Sequence, residues 1–131
     1  LRNPESFGFF GNFSGTTLPP YDGGLEELFG EQENLQATIN SYKSDWVIAN
    51  QPQSRASIGR VITGAQDDPD LIADEQQFVA KAQALGMKVQ MNQPPGAHTF
   101  YFWTTALQEW LPWALQQMGP AEPVTPKPPA K

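Results

Sequence analysis

The sequence predicts an α/β fold: part of a doubly wound, mostly parallel sheet with helices on its faces. Three observations predict it. Short apolar runs, rich in β-branched or aromatic residues, alternate with longer stretches of helical periodicity. Such alternation lays successive strands side by side, with the connecting helices packed on the sheet. Only three strand segments are found in the 131 residues. Three parallel strands leave apolar edge uncovered, so the sheet is expected to continue into sequence or a partner chain outside this one.

Each element rests on its own residues. Asn3-Pro4-Glu5 reads as a turn, and Phe7 to Phe13 as a buried strand whose glycines let another backbone come close. Phe7, Phe9, Phe10 and Phe13 are expected in the core. Leu18 to Gly24 is irregular, with Pro19-Pro20 and Gly23-Gly24. Leu25, Leu28 and Phe29 share a helical face, and Leu35, Ile39 and Tyr42 continue it, with a break expected at Gly30. Asp45 to Gln51 reads as a short helix ending before Pro52. This helical region is either a cap over a site or a plain crossover.

Ile58 to Thr63 is the second strand, with Val61, Ile62 and Thr63 β-branched. An acidic loop follows, and Asp70 is the expected N-cap of a helix over Leu71 to Leu85. That helix carries Leu71, Phe78, Val79, Ala82 and Leu85 on one face and stops at Gly86. Met87 to Met91 alternates apolar and polar residues, as a strand with one buried face does. After Pro94-Pro95-Gly96, a last helix starts near Thr99 with Phe100, Trp103, Leu107, Trp110, Leu111, Leu115 and Met118. Pro112 should kink or interrupt it. The Trp103, Trp110 and Trp113 stripe reads as core. Residues 120–131, with five prolines, read as an extended tail or linker.

Composition narrows the function. The net charge is −6, and Lys and Arg form no cluster, which argues against nucleic acid or an anionic membrane surface as partner. No apolar run reaches the roughly 20 residues of a membrane-spanning helix. There is no cysteine, so thiolate catalysis and Cys-based metal sites are excluded, and with a single histidine a His-rich metal site is not expected.

The single histidine, His98, stands on the loop after the third strand. Asp67 and Asp68 stand on the loop after the second. In doubly wound sheets functional residues leave the carboxyl ends of strands, and neighbouring parallel strands bring such loops together. A carboxylate bonded to an imidazole fixes its tautomer and stabilises its charged form, and imidazole is the default acid/base near neutral pH. An acid loop, helix, strand and His loop form the second half of the Ser…Asp/Glu…His order of α/β-hydrolases.

The residues also resemble a family. Gly64-Ala65-Gln66-Asp67-Asp68, the helix with Phe78, Gly86-Met87-Lys88-Val89, and Gly96-Ala97-His98 followed by Trp103, Leu107 and Leu111-Pro112 look like the C-terminal half of an esterase family of α/β-hydrolases. That family includes antigen 85 mycolyltransferases, S-formylglutathione hydrolases, enterochelin esterases and feruloyl esterases. The Gly-x-His-x-x-x-x-Trp pattern is its most specific element here, and the likeness runs from Asn3 to Met118. It implies an α/β-hydrolase half-domain over residues 1–119, with His98 as catalytic base and an aspartate as its orienter. Asp67 lies where the family most often has its acid, and Asp68 is the alternative, because loop length varies there. The implied reaction is carboxylic-ester hydrolysis or acyl transfer on an acyl-ester small molecule or glycolipid. Neither metal nor organic cofactor is implied. The antigen 85 likeness and the proline-rich tail lean towards an exported or cell-envelope location, with the cytoplasm as alternative.

One departure is decisive. The family nucleophile is a serine in Gly-x-Ser-x-Gly, and no serine of this chain has those flanking glycines. The nucleophile is expected upstream or on a partner chain, and this chain alone is expected to be inactive. The alternative is a non-catalytic binding or adhesion module on the same fold.

Overall fold

A computed structural model describes residues 1–17 and 35–119. The irregular stretch from Leu18, the helical signal at Leu25, Leu28 and Phe29 with its break at Gly30, and the tail from Pro120 lie outside the described residues. The described elements are β1 (Phe9–Phe13), α1 (Leu35–Tyr42), α2 (Ser44–Asn50), a single-turn 3-10 helix (Pro52–Ala56), β2 (Ile58–Ile62), α3 (Pro69–Ala84), β3 (Lys88–Asn92) and α4 (Phe100–Met118).

The three strands form one parallel sheet in the order β1-β2-β3. Phe9 faces Ile58 and Phe13 faces Ile62 across one ladder; Ile58 faces Lys88 and Ile62 faces Asn92 across the other. Side chains alternate between sheet faces, so the adjacent Val61 and Ile62 of the central strand enter two different clusters. Val61 packs with Ile48 of α2, Phe78, Val79 and Ala82 of α3, Met87, and Val89 of β3. On the other face Ile62 packs with Phe102 and Ala106 of α4, with Phe13, Trp103 and Trp110 beside them. Helices therefore cover both faces, as the alternating pattern predicts. No helix of the described residues is long and apolar enough to cross a membrane.

Several expectations change. Phe7 is not core: it is 67% exposed in the turn before β1, and its N–H bonds back to Asn3 O at 2.9 Å. Phe9, Phe10 and Phe13 are only half-buried, because β1 is an edge strand among the described residues. At Gly11 the close neighbour is a ring and not a backbone: a Cβ there would stand 2.9 Å from the Trp110 indole. The α3 helix begins at Pro69 and not at Leu71, and its N-cap is Asp68 rather than Asp70. Proline suits the first helical position because it has no N–H to satisfy and its φ is already helical.

Pro112 does not interrupt α4. Its missing N–H removes one intrahelical bond, but the flanking turns are anchored on the sheet. Trp110 stacks edge-on against Phe13 at 5.9 Å and donates Nε1–H to Phe10 O at 3.3 Å; Trp113 lies 4.3 Å from the Arg60 guanidinium. The sheet covers only part of this apolar helix. Phe100, Tyr101, Leu107, Leu111, Leu115 and Met118 are exposed.

Candidate active site

The site is built where β2 and β3 end. Pairing continues past both strands as their loops bond to each other. Thr63 N–H donates to Asn92 O at 3.0 Å, Ala65 N–H to Pro94 O at 2.9 Å, and Gln66 N–H to Gly96 O at 2.8 Å. Gln66 returns the contact, its Oε1 accepting from Gly96 N–H at 2.6 Å. Gly64 permits this closeness, since a Cβ there would lie 2.3 Å from Gly96 O. The acid loop and the histidine loop are thereby stitched together before any side chain takes part.

Asp67 closes a turn, its N–H donating to Gly64 O at 3.0 Å. Its carboxyl is fully buried and meets the half-exposed imidazole of His98: Nδ1 is 3.0 Å from Oδ1 and 3.3 Å from Oδ2. The Asp68 N–H donates to the same Oδ1 at 2.8 Å. Burial pushes the Asp67 pKa up, but the Ser14 hydroxyl, the Asp68 N–H and the attraction of His98 outweigh it and hold the carboxyl below its ordinary value. Ser14 Oγ is buried without an aligned hydrogen bond, so it acts on Asp67 as a nearby dipole. An ionised carboxylate only accepts, so the proton of this contact sits on Nδ1 and the lone pair of the ring sits on Nε2. That is the tautomer a general base needs.

Packing fixes the ring further. The Trp103 indole meets it edge-on, centroids 4.9 Å apart at 89°. Trp103 is placed there because α4 starts immediately after His98, with Thr99 Oγ1 accepting from Phe102 N–H at 3.2 Å as the cap. An open depression of about 750 Å³ adjoins the pair, with Thr16, Gln66, Asp74 and Leu71 on its walls.

Of the three residues singled out in the sequence, the structure joins Asp67 and His98. Asp68 also borders the depression, but its Oδ1 accepts from Asp70 N–H at 2.8 Å, capping α3. Sequence reasoning missed two neighbours. Ser14, at the carboxyl end of β1, is held at φ 52° and buried beside Asp67; nothing in a Ser-Gly loop singles it out. Trp103 stood out in the sequence as the Trp of the Gly-x-His-x-x-x-x-Trp pattern and as core, but spacing alone does not say that its ring meets the imidazole. Among the described residues no three His, Asp or Glu side chains converge as a metal site.

No family profile matches the chain, and no curated protein sequence does. Its fold does match a solved structure named as a ferulic acid esterase, with a TM-score of 0.66 and 17% sequence identity. The match covers 90% of this chain and 47% of that one, so the chain spans about half the length of the structure it resembles. At that identity the likeness is one of fold.

Proposed function

We propose that this chain is the C-terminal part of an α/β-hydrolase domain acting as a serine ester hydrolase or acyltransferase. Asp67 is its acid, His98 its base, and the serine comes from sequence outside these residues. One observation carries the reading. A fully buried carboxylate and a half-exposed imidazole meet at 3.0 Å on the loops leaving two adjacent parallel strands. The esterase-like fold of the structural neighbour is compatible with it.

In the complete site, His98 Nε2 takes the proton of the serine hydroxyl as the serine oxygen attacks the acyl carbonyl. The C–O bond to the alcohol breaks, and that alcohol leaves with the proton from Nε2. Water or a sugar hydroxyl then gives its proton to Nε2 as it attacks the acyl-enzyme; the acyl C–O bond to serine breaks, and the serine oxygen takes that proton back from Nε2. Asp67 stays ionised throughout and stabilises the imidazolium. The neighbour's name makes feruloyl esters a sensible first substrate panel.

A serine-directed fluorophosphonate tests this on the full-length protein. Labelling, together with loss of ester turnover in His98→Ala, supports the reading. A protein that takes no label, or that turns over esters normally without His98, is not a serine esterase of this kind. The alternative is a binding module on the same fold, which would neither label nor turn over and whose upstream sequence would carry no Gly-x-Ser-x-Gly elbow.

A further inference from the structure

Glu75 is a buried ionisable group that the mechanism above does not use. It lies on α3 between Leu71 and Phe78, and it is 0% exposed. A buried carboxyl in an apolar helix face is costly unless something holds it. Thr63, itself fully buried, donates its hydroxyl to Glu75 Oε2. Thr63 is also the residue from which the acid loop departs, its backbone N–H bonded to Asn92 O at 3.0 Å. Glu75 Oε1 is buried with no hydrogen-bond partner. The next residue back, Asp74, accepts from the N–H and the hydroxyl of Thr17. Consecutive carboxyls of α3 therefore hold the loop after β1 and the end of β2.

We infer that Glu75 is a positioning residue of the candidate site: through Thr63 it anchors the carboxyl end of β2 and so sets the reach of Asp67 to His98. The inference rests on the reading of Asp67 and His98 as acid and base, and it deepens that reading. The ionisable groups facing Glu75 are both acidic, Asp67 on the loop and Asp74 on its own helix. The β1 side presents the Gly15 amide and the β2 side the Thr63 hydroxyl, neither of which titrates. Burial first, then the charges of Asp67 and Asp74, push the Glu75 pKa up to about 7, against the favourable bond from Thr63. The strut is neutral in mildly acidic solution. Its ionisation in the neutral range adds a second negative charge that acts on Asp67, the partner of the imidazole.

The test reads the pair and not turnover, so a failed esterase assay leaves it standing. Ring signals of His98 are identified in the intact protein by comparison with His98→Gln and followed by NMR across the neutral range. Wild type is expected to show an inflection near pH 7 that comes from Glu75. Glu75→Gln is expected to lose that inflection and keep the downfield Nδ1–H signal of the Asp67 contact. Thr63→Val is expected to move the inflection to higher pH, because the lost bond favours the charged carboxyl. Glu75→Leu is expected to lose the Nδ1–H signal. A wild-type titration curve in Glu75→Gln overturns the inference, as does an Nδ1–H signal undisturbed in Glu75→Leu. If Glu75→Leu does not fold, Thr63→Val decides, because it breaks the same link at near-native volume: a weakened Nδ1–H signal supports the inference and an undisturbed one overturns it.

Discussion

Asp67 and Asp68 differ by one position and by everything that surrounds them. The first is buried on an imidazole; the second caps a helix at the surface. Asp67→Asn is therefore expected to lower ester turnover of the complete enzyme by roughly 10²–10⁴-fold, the range of a general acid–base contribution, with little change in KM. Asp68→Ala is expected to cost about 1 kcal/mol of stability, measured by denaturant midpoint, and to leave turnover within a few-fold. The sequence could nominate both aspartates but not choose, because the imidazole's partner and the cap are adjacent residues. One clue was legible: Pro69 favours the first helical position, which makes Asp68 the cap. Glu75 went unread in the sequence, although a charge between Leu71 and Phe78 on an apolar helix face was a signal that could have found it.

The two buried carboxyls give stability opposite responses to pH. Asp67 has a lowered folded pKa, so its contribution is present above its unfolded value of 3.8 and is lost as pH falls through the lower folded value. Glu75 binds its proton more tightly when folded, so stability declines as pH rises from about 4.5 towards 7 and then levels off. Over that window Glu75→Gln is expected to remove a slope of roughly 3 kcal/mol in total. Urea midpoints of wild type and variant, measured at acid and neutral pH, check this. Parallel curves would mean Glu75 does not titrate there.

At the scale of elements, α4 shows what periodicity can and cannot say. Its length and its start after His98 follow from spacing and from the Thr99 cap. Its unbroken passage through Pro112 does not, because the anchors are distant in sequence: Phe10, Phe13 and Arg60. Pro112 is exposed, so replacing it removes no packing. Pro112→Ala is expected to raise stability by roughly 1–3 kcal/mol by restoring the missing helical bond. A lower thermal midpoint would show that the proline shapes the helix to fit the sheet. The stitching of the acid loop to the histidine loop was likewise hidden, since the sequence shows glycines but not which glycine faces which carbonyl.

For the whole molecule, the order of strands and helices was readable because alternation admits few topologies. The small size of the sheet was readable as well, from the count of strand segments. Which surfaces lack cover was not, since exposure depends on how far each helix extends past its strand. Leu107, Leu111, Leu115 and Met118 form an exposed apolar row on α4, while β1 is an edge strand among the described residues. Surfaces of this kind associate. The 131-residue chain on its own is expected to elute in size exclusion as dimers or larger species. A stable monomer would mean that this sheet needs no further strands.

The indole resting against the candidate base has an optical consequence. Imidazolium quenches tryptophan emission more strongly than neutral imidazole does, and Trp103 touches the His98 ring edge-on at 4.9 Å between centroids. The protein thus carries its own fluorophore beside the candidate base. Part of its emission should report on that ring, and that part should vanish in Trp103→Phe while the other three tryptophans continue to glow.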